Sequence, residues 1–362
     1  MNEDAQLLEI RAQIDMIDER IQALISERAS CAQEVARIKR AAGTINDFYR
    51  PEREAEILRR VIARNTGPLA AEEMARLFRE VMSACLALQH SKKIAFLGPE
   101  GTFTQAAALR HFGNSVITLP FGTIDEVFRE VESDGVHFGV VPVENSTEGV
   151  ITRTQDMFLR SPLKICGEVQ LRIHHQLIGS MTKLAAVRRI YTHQQTLAQC
   201  RAWLDRNLPA NVERLAVSSN TEGVCRAQSE EGAAAIASVT AAEIHNLPIL
   251  AENIEDEPDN TTRFLIIGHH ENAPSGEDKT SLLVSAHNRA GTLYALLAPF
   301  ARYQVSMTRI ESRPSRQGVW EYVFFIDIEG HQQDEKVAAA LVAVAKEANV
   351  LKILGSYPRA VP

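Results

Sequence analysis

The chain has 362 residues, 45% hydrophobic and 23% charged, the mixture of a folded globular protein with apolar material for more than one core. No apolar run reaches the roughly 18 residues that cross a bilayer, so no membrane partner is expected. The formal net charge of −7 argues against a bulk attraction for nucleic acid, and any anionic ligand is expected on a local cluster of Arg and Lys.

Cys31, Cys85, Cys166, Cys200 and Cys225 are odd in number and widely spaced. That pattern suits neither a disulfide framework nor a thiolate metal site, and it points to a reducing cytoplasm. The pairs His174-His175 and His269-His270 lack the helical spacing of a metal pair. Neither a metal nor a cofactor is expected. The first 30 residues are amphipathic and acidic-rich, unlike the apolar core of a secretory signal.

Residues 1–91 read as helical throughout. Leu7, Ile10, Ile14, Ile17, Ile21, Leu24, Cys31, Val35 and Ile38 follow the three-four spacing of a heptad seam, broken at Arg28. A helix from Leu7 to Ile38 is roughly 47 Å long, too long to bury its seam within so small a unit, so a second chain is expected along it. Further helices are expected from Pro51 to before Gly67-Pro68, and from Ala70 to His90. Arg28 and Lys39 point in nearly the same direction, about 16 Å apart along the axis, and could hold a small dianion between them. Equally, Arg28 could fix helix register while Lys39 is solvated. Arg11 lies about 25 Å before Arg28 and could reach such a ligand only from an antiparallel partner chain.

Residues 92–268 change period. Short apolar strands are expected at Ile94–Leu97, Phe138–Val141, Arg189–Tyr191 and Arg263–Ile267, with helical patterns between them. Gly98-Pro99-Glu100-Gly101-Thr102-Phe103-Thr104-Gln105 is either a plain strand-to-helix turn or a cradle of backbone N–H groups for an anion. Polar clusters follow at Pro142-Val143-Glu144-Asn145-Ser146, Thr192-His193-Gln194-Gln195, Ser218-Ser219-Asn220-Thr221 and Asn260-Thr261-Thr262-Arg263-Phe264. Residues 269–279 read as a polar linker. Residues 280–362 read as strand Thr280–Ala286, helix Gly291–Arg302, strands Val305–Glu311 and Val319–Ile328, helix Asp334–Lys346 and strand Val350–Tyr357. That order is the βαββαβ ferredoxin-like arrangement.

Arg11, Arg28, Lys39, the run Arg50-Pro51-Glu52-Arg53-Glu54 and Gln89 resemble the all-helical chorismate mutase family. The resemblance implies an intertwined dimer whose site takes Arg11 from the partner chain and Arg28, Lys39, Arg53, Glu54, Cys85 and Gln89 from its own. It further implies that Lys39 and Gln89 donate to the breaking ether oxygen of chorismate while Glu54 holds the ring hydroxyl. Arg50 stands where some members have Asp, Cys85 where some have Ser, and the loop before Arg50 is slightly longer. The second segment resembles prephenate dehydratase through Gly98-Pro99-Glu100-Gly101-Thr102-Phe103, Glu144-Asn145 and Thr262-Arg263-Phe264. This implies two α/β lobes around a cleft, as in periplasmic binding proteins, and loss of water and CO₂ from prephenate. Thr262 is then the donor to the leaving hydroxyl and Arg263 a carboxylate or structural anchor. Phe264 packs, and Glu144, Asn145, Thr102, His193 and Ser219 are cleft candidates. The last segment resembles an ACT domain, with Arg289-Ala290-Gly291-Thr292-Leu293 and Glu311-Ser312-Arg313-Pro314 as the effector loops. The resemblances together imply a multidomain enzyme: a helical mutase, a two-lobed α/β dehydratase and a ferredoxin-like ACT domain that senses phenylalanine. An arogenate-preferring dehydratase and a non-catalytic amino-acid sensor are the alternatives.

Overall fold

The computed structural model describes residues 3–43, 49–287, 289–314 and 322–361. The N-terminal unit holds helices α1 (Glu3–Ala41), α2 (Pro51–Arg64) and α3 (Ala71–Ala87). Pro51 opens α2, where a missing backbone N–H costs nothing. Leu58, Ala75 and Met82 pack α2 against α3. By contrast α1 buries only Ala36, and Leu7, Ile10, Ile14, Ile17, Ile21 and Leu24 stay exposed along its seam.

The middle unit begins with β1 (Lys93–Leu97), α4 (Phe103–Phe112), β2 (Ile117–Phe121), α5 (Ile124–Glu132), β3 (Phe138–Asn145), β4 (Gly149–Val150), α6 (Thr152–Phe158) and β5 (Lys164–Arg172). The chain then crosses to a second lobe. It is built from β6 (Gln176–Gly179), β7 (Arg189–His193), α7 (Gln194–Gln199), α8 (Arg201–Asn207), β8 (Glu213–Val217), α9 (Asn220–Ser229), β9 (Ala233–Ala237), α10 (Val239–His245) and β10 (Ile249–Ala251). It returns as β11 (Thr261–Gly268), which inserts antiparallel between β3 and β5. The first lobe's sheet runs β2-β1-β3-β11-β5 and the second lobe's β10-β6-β9-β7-β8. Two crossings of the chain therefore join the lobes, and a cleft opens between them.

The C-terminal unit holds β12 (Asp278–Ser285), α11 (Thr292–Arg302), β13 (Met307–Pro314), β14 (Tyr322–Glu329), α12 (Glu335–Glu347) and β15 (Val350–Pro358). This is the expected βαββαβ order, in an antiparallel sheet β13-β14-β12-β15. Val319 to Glu321 of the expected strand lie outside the described residues. One face of the sheet is covered by α11 and α12 through Leu296, Phe300, Leu341 and Val344. The other face shares a core with the first lobe: Leu283, Phe325, Leu354 and Tyr357 join Val141, Leu163, Ile165 and Leu265.

The stretch 269–279 departs from a solvated linker. Asn272 is buried and donates Nδ2 to the carbonyls of Cys166 and Ser356, both at 2.9 Å. The helical unit docks on the same lobe through Tyr49, which sits among Ile94, Phe112 and Phe138 and lies 3.0 Å from His111 Nε2. Burial pushes His111 down to about 3, so its ring is neutral and can accept a hydrogen bond from the Tyr49 hydroxyl.

Candidate active sites

A cavity of about 380 Å³ lies between α1, α2 and α3. Arg28 and Lys39 enter it from α1, Arg53 and Glu54 from α2, and Cys85 and Gln89 from α3 and its C-terminal turn. Arg50 lines it as well. Arg53 also pairs with Glu56, one helical turn on, at 2.8 Å. Burial pushes the Glu54 carboxyl up to about 7, against the pull of Arg79 and Lys92. Cations at the rim and a largely buried carboxyl beneath them suit a dianion carrying a hydroxyl. Arg11 is exposed far along α1 and does not reach this cavity within one chain.

The cleft between the lobes, about 330 Å³, gathers Thr102, Asn145, His193, Ser219, Thr262 and Phe264. Thr262 is 8% exposed. Asn145 donates Nδ2 to Thr262 Oγ1 at 2.8 Å and to Asn260 Oδ1 at 2.7 Å. Its Oδ1 accepts from the Thr147 backbone at 3.0 Å and the Thr147 hydroxyl at 2.6 Å, which fixes the amide's orientation. A hydroxyl has one proton and two lone pairs, so a Thr262 that accepts from Asn145 keeps its proton to give.

Thr102, His193, Ser219 and Ser238 share a second role. Each is the N-cap of a helix: α4, α7, α9 and α10 respectively. Thr102 Oγ1 accepts from the Gln105 backbone at 3.5 Å, and Ser219 Oγ from Glu222 at 3.0 Å. Helix N-termini thus ring the cleft, and the ten-residue helices α4 and α9 turn their positive ends toward it. The Gly98–Gly101 turn is gripped from the second lobe. Ser238 Oγ donates to the Gly101 carbonyl at 2.7 Å and Thr221 Oγ1 to the Glu100 carbonyl at 2.9 Å. Gly101 has φ +80°, and a side chain there would press on Ala241, so glycine is required at this contact.

Three expectations need correction. No Arg or Lys is among the described residues lining the cleft, so an anion there would be held by helix termini, hydroxyls and amides. Of the two roles expected of Arg263, carboxylate anchor or structural anchor, only the structural one fits: side chains alternate along a strand, and with Thr262 and Phe264 facing the cleft, Arg263 faces behind the sheet. There it donates Nε to Glu168 at 2.8 Å and Nη1 to Asp327 at 2.5 Å. Burial pushes the Asp327 carboxyl up, but the Arg263 guanidinium outweighs this and holds it below its usual range. Glu144 alternates with Asn145 in the same way and accepts from Arg309 Nε at 2.8 Å.

The cleft also holds residues that local pattern did not single out. Gln199 accepts from His175 Nε2 at 2.7 Å and donates to Glu148 Oε1 at 2.7 Å. Burial raises the Glu148 carboxyl and lowers His175. No local motif marks these residues; Gln199 reaches the first lobe's Glu148 only because the lobes face each other.

In the C-terminal unit, Ala290 and Gly291 lead into α11, whose first residues are Thr292 and Leu293. Gly291 has φ +82°, yet a Cβ there meets open space, so the left-handed backbone is what calls for glycine. Glu311, Ser312, Arg313 and Pro314 end the edge strand β13. Arg313 is not a free wall of an effector loop: it pairs with Asp156 at 2.9 Å and donates to the Thr152 carbonyl at 2.5 Å, tying β13 to α6.

Residues 10–90 match the chorismate mutase type II family, residues 94–272 prephenate dehydratase, and residues 280–346 the ACT domain. A bifunctional chorismate mutase/prephenate dehydratase of Stutzerimonas stutzeri is 57% identical and aligns over 100% of both chains. Among solved structures, a prephenate dehydratase from Arthrobacter aurescens in complex with L-Phe is 34% identical with a TM-score of 0.68, covering 74% of this chain and 90% of that one. Another, GqqA, described as a novel type of quorum-quenching acylase, is 30% identical with a TM-score of 0.68, covering 74% and 98%. The fold alone therefore names no reaction, and the full-length relative and its two matched catalytic units do so. The chain belongs to the family of bifunctional chorismate mutase/prephenate dehydratases with an ACT domain.

Proposed function

We propose that this chain converts chorismate to prephenate in its helical cavity and prephenate to phenylpyruvate in its cleft, with phenylalanine as feedback inhibitor through the ACT domain. Two chemically different cavities on one chain carry the assignment: one lined by Arg and Lys with a largely buried carboxyl, and one with no Arg or Lys among the described residues lining it, ringed by helix N-termini.

The first reaction is pericyclic and needs no nucleophile, metal or cofactor. Arg28 and Arg53 hold the two carboxylates and fold the substrate into a reactive geometry. Lys39 and Gln89 donate to the ether oxygen as its bond breaks and negative charge develops there. Glu54 holds the ring hydroxyl. Arg11 comes from the second chain of a homodimer, which also covers the apolar seam of α1.

In the second reaction the bond to the departing CO₂ breaks. Its electron pair moves through the ring, which becomes aromatic as the bond to the ring hydroxyl breaks, and the departing oxygen leaves as water with a proton passed through Thr262 and replaced from solvent. Thr262 donates its proton in a hydrogen bond to that oxygen, while Asn145 holds the Thr262 oxygen from behind. The termini of α4 and α9 receive the carboxylates. Thr alone is a weak acid, so fixed position and exclusion of water supply much of the effect. The free thiols Cys31, Cys85, Cys166, Cys200 and Cys225 support a cytoplasmic setting.

Incubating the purified chain with chorismate, with and without phenylalanine, and identifying products by chromatography tests this function. Prephenate followed by phenylpyruvate, with the second step suppressed by phenylalanine, is the expected result. Untouched chorismate and prephenate would refute it.

A further inference from the structure

Asn145 on β3 and Thr262 on β11 are register partners, and their chain neighbours Glu144 and Arg263 are partners in the adjoining rung. Successive strand residues face opposite sides of a sheet, so the front pair looks into the cleft and the back pair toward the ACT sheet. There Arg309 of β13 donates to Glu144 at 2.8 Å, and Arg263 donates to Asp327 of β14 at 2.5 Å and to the Tyr357 hydroxyl of β15 at 2.9 Å. Ser281 of β12 donates to the other Asp327 oxygen at 2.5 Å. All four strands of the ACT sheet thus contribute to one grip on the back of two rungs. The ladder is irregular at this point, with a register shift between Arg263 and Phe264, so regular pairing alone does not set its spacing.

We propose that the ACT sheet sets the spacing of the Asn145–Thr262 pair through the back-face ion pairs Glu144–Arg309 and Arg263–Asp327, which makes Glu144 and Arg263 positioning residues for dehydration and not substrate ligands. This rests on the dehydratase reading above. A planar peptide joins each back residue to its front neighbour, so displacement of Glu144 carries Asn145 with it. A shift of about 1 Å stretches a 2.8 Å hydrogen bond beyond useful length. The hold on Glu144 is also narrow. Arg309 Nη2 is buried without a partner among the described residues, so the Nε bond carries the contact. A small movement of β13 releases it.

The test compares Arg309→Met, Glu144→Gln and the double variant by kcat and KM for prephenate, with mutase turnover and melting temperature on the same preparations. Each single change should lower phenylpyruvate kcat about tenfold or more while mutase turnover holds. KM should stay within about twofold, and the double variant should lose no more than the worse single, because the two side chains act as one unit. Arg309→Lys should recover part of the loss. Wild-type kcat in Arg309→Met with a lowered melting temperature makes the pair merely structural and overturns the proposal. A loss in Glu144→Gln without one in Arg309→Met means Glu144 meets substrate, and overturns it too. If Arg309→Met does not fold, Arg309→Lys and Glu144→Asp carry the comparison, and wild-type kcat in both refutes the positioning role. Wild type is assayed alongside: no phenylpyruvate from it overturns the dehydratase reading and this one together, whereas activity that survives in the variants overturns the positioning alone.

Discussion

The amide of Asn145 donates to the hydroxyl of Thr262 across 2.8 Å, which leaves the Thr262 proton free for an acceptor in the cleft that Thr262 lines. Asn145→Asp reverses that polarity. A carboxylate only accepts, so it would draw the Thr262 proton onto itself. It would also face the Asn260 oxygen that now receives the amide. Phenylpyruvate formation should fall by about 10²-fold, the scale of a lost positioned donor, with mutase turnover unchanged. Absorbance assays of the two products on one preparation measure both.

Glu54 links the helical cavity to pH. Its carboxyl ordinarily titrates near 4.5 and burial raises it to about 7 in the fold. Between those values the unfolded chain has released the proton that the folded chain keeps. The stability this contributes is complete below 4.5, falls as pH rises to 7 and is gone above it, at most about 3 kcal/mol in all. Glu54→Gln removes the titration. The variant should melt higher than wild type at pH 8 and close to it at pH 4.5, measured by calorimetry across that range.

Gln89 gives a second pH handle. A neutral amide donates to the ether oxygen at any pH, whereas a carboxylate repels the developing charge unless protonated. Gln89→Glu should leave a mutase that works in acid and fails at neutral pH, with an undisturbed dehydratase. A flat mutase profile for that variant excludes Gln89 as the ether donor.

Arg11 tests the second chain. The proposed antiparallel partner would cover the exposed seam of α1 and bring an Arg11 to the cavity, whose lining within one chain lacks it. Arg11→Ala and Arg28→Ala should each nearly abolish mutase turnover. Mixing them should restore some, because one composite site of the mixed dimer then has both arginines. Verified subunit exchange without recovery contradicts the shared site.

Much of this architecture is legible in periodicity. The seam of α1, the apolar runs of β1 and β3 and the βαββαβ order are direct readings of side-chain spacing. Which face of β11 lines the cleft is set by alternation, Thr262 and Phe264 against Arg263, but the motif Thr-Arg-Phe, taken as one block, hides this. Gln199, His175 and Glu148 were not legible, since the crossings of the chain bring them together and no local pattern marks them. The expected cluster of Arg and Lys is present in the helical cavity but not among the described residues lining the cleft, where helix N-termini gather instead, and the sequence shows these only as capping residues such as Ser219 with Glu222.

The most direct test of the two-site account is the product course of Thr262→Val fed with chorismate. Valine keeps the shape of threonine and removes the hydroxyl. Chorismate should disappear at the wild-type rate, prephenate should accumulate, and phenylpyruvate should appear about 10²-fold more slowly. Phenylpyruvate at the wild-type rate from the folded variant would contradict Thr262 as the donor. Loss of chorismate turnover in the same variant would contradict two independent sites on one chain.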